Sequence, residues 1–365
     1  MEKARINANQ LFAMIFLFEI GTAIVLPVGF ASVQSVWMAI LIALVFGIGL
    51  YLIYDYLYRE YPNLPLSGYI KAILGKPIGW VVNLSLLLFL IHNDARVLRE
   101  TSELLVTASY DMTPLIVISA LMIVAVIYVL SKGVEVIARV AEIYFLIFLF
   151  LGLLGFIFIL FSNIIEIKNL FPLLSKGWKP VFQAAFPRIT MFPFGETISI
   201  ATILPYLKKS VTGRKTGIFA LIASGLILSF SHAIEICVLG PDIYARSTFP
   251  LFLMITRVNI ADFVQRMDAF VILALIIGAF FKCAIHMYAA MSVAADMFHM
   301  EIRKMALPVG ITILVASIML ASNWAQFLAM GKEVITSILI PIYGMYLPIF
   351  LVIVHLIRKR LFKKS

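Results

Sequence analysis

FPRITMFPFGETISIATILP, residues 186–205, is apolar and long enough to cross a bilayer, yet it carries its own interruption. Phe192-Pro193-Phe194-Gly195 stands in its middle, and Glu196 follows directly. A proline removes a backbone donor and clashes with the preceding turn. A glycine adopts dihedrals that other residues avoid. Helix unwound at mid-membrane is tolerated only where it is buried in protein or faces a water-filled cavity. LFAMIFLFEIGTAIVLPVGF, residues 11–30, repeats the design: Gly21-Thr22-Ala23 is its break, Glu19 precedes it, and Pro27 comes a turn later.

The rest of the chain supplies the context. Of 365 residues, 63% are hydrophobic and 13% charged, with a mean hydropathy of +1.05. Soluble domains are about half apolar and about a quarter charged, so this is a polytopic membrane protein. Ten spans are expected, at about 9–30, 35–57, 78–106, 113–131, 136–162, 186–206, 215–239, 266–298, 306–328 and 334–357. All should be helices, because isolated strands cannot satisfy their backbone in lipid. The connections 163–185 and 240–265 carry Pro, Gly and aromatic residues that suit short interfacial helices. The first apolar run holds Glu19 and lacks a small-residue cleavage site, so it reads as a retained span.

Cys237 and Cys283 both lie in apolar runs, which argues against a disulfide framework or a metal site, and no cofactor is expected. In a membrane protein a net charge of +10 reports topology and lipid headgroups rather than nucleic acid. Lys3, Arg5, Arg59, Lys71, Lys76, Lys132, Arg139, Lys208, Lys209, Arg214, Lys215, Arg303, Lys304 and the tail RKRLFKKS collect on one side, so both termini are expected to be cytoplasmic. Ten spans divide into two sets of five, and an odd number per set inverts the second. The expected organisation is a first repeat over 1–162, a loop over 163–185, a second repeat over 186–358 and a basic tail over 359–365. The two breaks then fall in matching spans, 1 and 6. Pro341, Gly344 and Pro348 in the last span leave open a further hinge or a bend.

Half-helix ends offer free N–H groups on one side and free carbonyls on the other. A free amino acid suits such a pair. The backbone of Gly21, Thr22 and Ala23, with the Thr22 hydroxyl, would hold a carboxylate. Carbonyls around Phe192, Pro193 and Phe194 would hold an ammonium, with Gly195 permitting the break. Phe18, Phe192 and Phe194 would line the side-chain pocket. A plain proline kink is the alternative for either break alone.

Ionisable groups inside a membrane usually face a partner or a cavity. Glu196 and Glu19 flank the breaks and are candidates for an ammonium, a proton or a cation partner. Lys282 and His286, four residues apart, share a helix face. Lys282 is open to three roles: a proton switch, a fixed cation, or a permanent partner of Glu19 or Glu196. Glu235, with His232 nearby, reads as interfacial. In HNDARVLRE (92–100) the spacings His92–Arg96–Glu100 and Arg99–Glu103 allow helical ion pairs. That ladder is expected near the outer surface, with Asp94 and Arg96 as the candidate outer gate.

Four stretches together resemble the spore germination permease family, the B subunits of spore nutrient germinant receptors, within the amino acid–polyamine–organocation transporter superfamily. They are EIGTAIVLPVG (19–29), YPNLPLSGYIKAILGKPIG (61–79), RETSELL (99–105) and FPFGE (192–196). The resemblance covers almost the whole chain. It implies an all-α five-plus-five inverted-repeat fold of the LeuT-like kind and residence in the inner membrane of a bacterial spore. It also implies assembly with an A subunit and a lipoprotein C subunit, and sensing of a small germinant, often an amino acid, rather than catalysis. By position, the pocket would use Gly21, Thr22 and Phe192–Glu196. Two alternatives stand beside it: a proton-coupled amino-acid permease, and a membrane scaffold with no ligand of its own.

Overall fold

A computed structural model describes residues 4–174, 177–258 and 268–362. Lys3, Lys363, Lys364 and the first two residues of the expected span 266–298 lie outside the described residues. In chain order the α-helices are α1 (Ala8–Ile20), α2 (Val36–Glu60), α3 (Leu66–Leu74), α4 (Lys76–Ala108), α5 (Leu115–Ser131), α6 (Val134–Phe161), α7 (Trp178–Gln183), α8 (Ile198–Ala201), α9 (Ser210–Leu239), α10 (Pro241–Arg246), α11 (Pro250–Ile255), α12 (Asp268–Phe298), α13 (Ala306–Met319), α14 (Trp324–Met330) and α15 (Leu347–Phe362).

Among the described residues, seven helical runs are long and apolar enough to cross a membrane: Ser32–Glu60, Lys76–Ala108, Val134–Phe161, Val211–Leu239, Ala269–Phe298, Ile302–Met319 and Trp324–Leu361. α1 and α5 are apolar but shorter. The expected span 186–206 is not one helix. It is a chain of short pieces: a π-helical turn over Ala184–Ile189, a 3₁₀ turn over Phe194–Thr197, α8, and a 3₁₀ turn over Leu204–Tyr206. The expected boundary between the last two spans also moves. α13 stops at Met319, and Asn323 caps α14 by accepting from the Gln326 amide at 2.9 Å. Ser322 and Asn323 turn the chain, so residues 324–328 belong to the final run. That run is π-helical over Gly331–Leu339 and Pro341–Tyr346.

Local chemistry sets the ends of α1. Asn7 accepts from the Gln10 amide at 2.8 Å and Gln10 Oε1 accepts from the Asn7 amide at 3.0 Å, a reciprocal cap. The helix stops at Gly21, whose φ of +26° is left-handed backbone. A Cβ on Gly21 would lie 2.7 Å from Lys282 Cδ and 2.9 Å from the Phe18 carbonyl. The chain then runs through turns to Gly29, where φ is +69°.

The core forms around α4 and α12, which pack on one another, while α9 packs on α1 and α2. The most apolar stretches of α4 and α12 are 61% and 67% buried, against 11% for α6. α6 therefore turns Ile143, Leu146, Phe150 and Leu153 outward. α4 keeps Asn93, Asp94, Arg96, Arg99, Glu100, Thr101 and Ser102 inside. Charges survive in α4 because protein, not lipid, surrounds them. The connection 163–185 holds a 3₁₀ turn over Ile167–Leu170 and α7, and the connection after α9 holds α10 and α11.

Candidate functional site

The two interrupted segments meet across α12. Gly278 of α12 packs on the first break so closely that a Cβ there would lie 2.9 Å from the Gly21 carbonyl. One turn further on, Lys282 lays its stem over Gly21 and carries its ammonium to the second break. Lys282 Nζ stands 2.6 Å from Glu196 Oε2, and both side chains are fully buried. The contact is a buried ion pair. The ammonium also lies 4.4 Å from the Phe192 ring centre and 5.5 Å from that of Phe18. Of the two carboxylates open as Lys282 partners, Glu196 is the one engaged. Glu19 is fully buried, and neither of its oxygens has a hydrogen-bond partner among the described residues.

Glu196 gathers further groups. Asn93 Nδ2 donates to its Oε1 at 3.0 Å and also lies 3.2 Å from His286 Nε2, while His286 Nδ1 lies 2.8 Å from Ser199 Oγ. One assignment satisfies this chain. Asn93 gives one proton to Glu196 and the other to His286 Nε2, and His286 donates from Nδ1 to Ser199. His286 Nε2 stands 3.9 Å from Glu196 Oε2 and its ring lies edge-on to Phe18 at 4.8 Å. The four-residue spacing of Lys282 and His286 thus brings both to one carboxylate.

The second break is held by close approach. A Cβ on Gly344 would overlap the Gly195 carbonyl. The Gly344 carbonyl accepts from Tyr54 Oη at 3.1 Å. A Cβ on Gly47 of α2 would lie 2.6 Å from Phe194 Cβ. Phe194 is fully buried. Its carbonyl accepts from Thr197 Oγ1 at 2.9 Å, and that of Pro193 accepts from the Glu196 amide at 3.1 Å. At the first break the Ile24 amide donates to Ile20, and those of Val25 and Leu26 to Thr22. Among the described residues neither the Thr22 nor the Ala23 amide has an acceptor.

Two expectations about charge need correction. The ladder of α4 does not lie on an exposed face, because α4 is enclosed by protein. Arg96 Nη1 pairs with Glu100 Oε1 at 2.7 Å and Nη2 stands 3.9 Å from Glu196 Oε1. Thr22 Oγ1 donates to Glu100 Oε2 at 3.3 Å. Arg99 pairs with Glu103 at 2.7 Å. Asp94 and Arg96, two residues apart on a helix, point to opposite sides, and Asp94 is fully buried with no hydrogen-bond partner among the described residues. Glu235 and His232 are likewise fully buried, not interfacial. His232 Nδ1 lies 3.0 Å from both Glu235 Oε2 and Tyr244 Oη, its Nε2 lies 3.2 Å from the Ala23 carbonyl, and Tyr244 donates to the Val28 carbonyl at 3.4 Å. This trio pins the irregular stretch after the first break. Asn93, Ser199 and Tyr244 were not singled out in the sequence, where they read as ordinary polar residues in helical runs.

A cleft of about 230 Å³ opens beside the site at the end of the bundle away from the described termini, with Arg96, Glu100 and Phe192 on its wall.

The fold resembles that of two solved transporters. It superposes with a TM-score of 0.67 on Mhp1, a nucleobase-cation-symport-1 family transporter solved in a closed conformation with bromovinylhydantoin bound, over 94% of this chain and 79% of that one, at 13% identity. It superposes with a TM-score of 0.62 on MhsT in complex with L-phenylalanine, over 98% of this chain and 99% of that one, also at 13% identity. These neighbours share the LeuT-like fold. In sequence, the chain is 36% identical to spore germination protein KB of Bacillus subtilis (strain 168) over 366 aligned positions, covering all of this chain and 98% of that protein. It is 24% identical to spore germination protein YndE of the same organism, covering 89% of this chain and 88% of that one. The family model for spore germination proteins matches residues 5–325. The chain is a membrane protein of the spore germination permease family.

Proposed function

We propose that the protein is the integral membrane subunit of a spore nutrient germinant receptor, that it binds a small germinant, an amino acid, at the two helix breaks, and that binding triggers germination. The observation that carries this reading is the pair of breaks facing each other across Lys282, with the Thr22 and Ala23 amides free to donate. Buried donors without acceptors are rare and costly, so a break that presents two of them suits a carboxylate. Phe18 and Phe192 flank the ammonium of Lys282 and supply apolar walls. The solved neighbours carry small molecules in the same fold. Residence in the spore inner membrane with cytoplasmic termini, and assembly with A and C subunits, belong to the same proposal.

Thermal unfolding of the detergent-purified protein against the twenty amino acids, common sugars and nucleosides tests it. A ligand at about 100 times its Kd stabilises the folded state by roughly 2.7 kcal/mol. A selective shift that is lost in Gly195→Leu supports the site, because Met191 Sδ and Ile340 Cγ2 lie 3.2 and 3.3 Å from the new Cβ. No shift across the panel transfers the role to a scaffold. Net uptake into vesicles driven by a pH gradient would make the protein a proton-coupled permease.

A further inference from the structure

The cleft beside the break has an uneven charge. Its described wall residues include three arginines from separate elements, Arg96 of α4, Arg188 before the second break and Arg246 of α10, against one carboxylate, Glu100. Arg96 is 7% exposed, and its Nη1 is committed to Glu100. Its Nε and Nη2 have no hydrogen-bond acceptor among the described residues. The guanidinium is fixed in place, with its carbon 5.4 Å from the Phe192 ring centre and Nη1 facing Gly331. Arg96 lines the cleft as a residue, and its two unsatisfied nitrogens are enclosed just behind that wall, Nη2 on the side of Glu196; a fork of two such N–H groups suits an oxyanion held by two parallel hydrogen bonds. Arg188 and Arg246 are exposed. They add positive field at the mouth rather than fixed contacts.

The carboxylates close by offer a cationic ligand little. Glu100 is shared between Arg96 and Thr22, and Glu196 is paired with Lys282. What remains unsatisfied on the cleft wall is donor. We infer that this cleft is an anion subsite which takes the carboxylate of a small solute at the Arg96 fork, with Arg188 and Arg246 drawing it in. The volume, below the roughly 300–1,000 Å³ of drug-sized sites, fits a molecule of amino-acid or small dicarboxylate size. This deepens the reading above by naming the charge class of the ligand, and it rests on the cleft rather than on the breaks.

The test is isothermal titration of the full-length protein in neutral detergent with succinate, L-glutamate and their uncharged or less charged counterparts succinamide and L-glutamine. Succinate should bind and succinamide should not. Arg188→Gln and Arg246→Gln should each weaken succinate by about two- to threefold, the Coulomb contribution of one charge at roughly 8 Å in water-like surroundings. Both variants alter exposed side chains with no ion pair to lose among the described residues. Arg96→Gln combined with Glu100→Gln, which removes both members of the buried pair, should abolish succinate binding. Equal affinity for succinate and succinamide, no binding of either, or unchanged affinity in the Arg188 and Arg246 variants overturns the inference. So does succinate binding that disappears when phosphatidylglycerol replaces phosphatidylcholine in nanodiscs, since the fork is then a headgroup site. Gly195→Leu separates the two readings. Succinate binding that survives it, with amino-acid binding insensitive to it, overturns the break site and leaves the anion subsite standing. Neutral ligands that bind and are lost in Gly195→Leu, with no succinate binding, do the reverse.

Discussion

Lys282→Met removes the charge that faces Glu196 while keeping most of the stem that covers Gly21, since an unbranched apolar chain of similar volume is among the best-tolerated replacements. What it leaves is Glu196 fully buried, with Asn93 at 3.0 Å and, as its basic neighbours among the described residues, Arg96 and His286 at 3.9 Å each. Stranding one member of a buried pair costs about 3–5 kcal/mol, while replacing both members by neutral groups is often close to neutral. At roughly 2 °C per kcal/mol for a chain of this size, the single variant should melt about 6–10 °C below the parent. Glu196→Gln in the same background should recover most of that loss, because a glutamine still accepts from Asn93 and strands no charge. The assay is thermal unfolding of the four proteins of the double-mutant cycle at one pH and one detergent concentration. Additive losses, or a Lys282→Met protein as stable as the parent, would refute the argument that this pair organises the core.

Gly21→Ala places a Cβ 2.7 Å from Lys282 Cδ on left-handed backbone, and should destabilise by about 2 kcal/mol or more in the same melt. Gly344→Ala drives a methyl into the Gly195 carbonyl, so it should displace the second break and abolish any ligand-induced shift, read by the amino-acid panel. His232→Phe leaves the Ala23 carbonyl and the buried Glu235 without their partner, with an expected loss of about 3 kcal/mol and weakened ligand binding. Lys359→Ala, which breaks a solvent-screened pair with Glu60 at 2.8 Å, should leave the melting temperature almost unchanged.

Much of this site was legible because its parts break rules. A proline and a glycine inside an apolar run, and a glutamate beside them, mark the second break without any coordinates. Lys282 and His286 announce one helix face by their spacing. Which carboxylate Lys282 meets was not legible, since Glu19 and Glu196 lie equally close to a break in the sequence and only the packing of α12 on both segments decides. The ladder on α4 was misplaced for a related reason. A run of charges near the end of an apolar segment reads as emerging into water, yet a helix surrounded by four others can keep them inside. His232 and Glu235 misled in the same way, and Tyr244, the further partner of His232, lies beyond the Gly240 turn, where no periodicity connects it to them. Gly278 and Gly47 carried no signal, and Gly344 read only as part of a hinge or bend, because a close approach is a property of two elements and a sequence shows one at a time.

The two ends of the bundle differ in a way that bears on sensing against transport. At the end that carries the described termini, Asp55 of α2 holds Arg214 of α9 at 2.8 Å, and Lys71 of α3 holds Asp296 of α12 at 2.7 Å. There the Ile6 amide donates to the Tyr206 carbonyl at 2.9 Å and Lys208 returns a bond to Ile6 at 3.0 Å. These contacts tie α2, α3, α9, α12 and the chain just before α1 and just after α8 into one closed layer. The cleft opens at the opposite end, directly over Phe192. A ligand arriving there meets the two breaks without disturbing the closed layer, whereas passage through the protein would require several of those ties to release together. Lys71–Asp296 is partly exposed and Asp55 is buried against Arg214 and Arg59, so the layer combines a screened pair with an enclosed one. A ligand needs only a matching difference in affinity between the two arrangements to shift them. A receptor that responds by a partial release has to supply less of that difference than a permease that opens fully. On the receptor reading proposed above, the break segments would be the moving part and the Lys282–Glu196 pair the point where a bound ligand is felt.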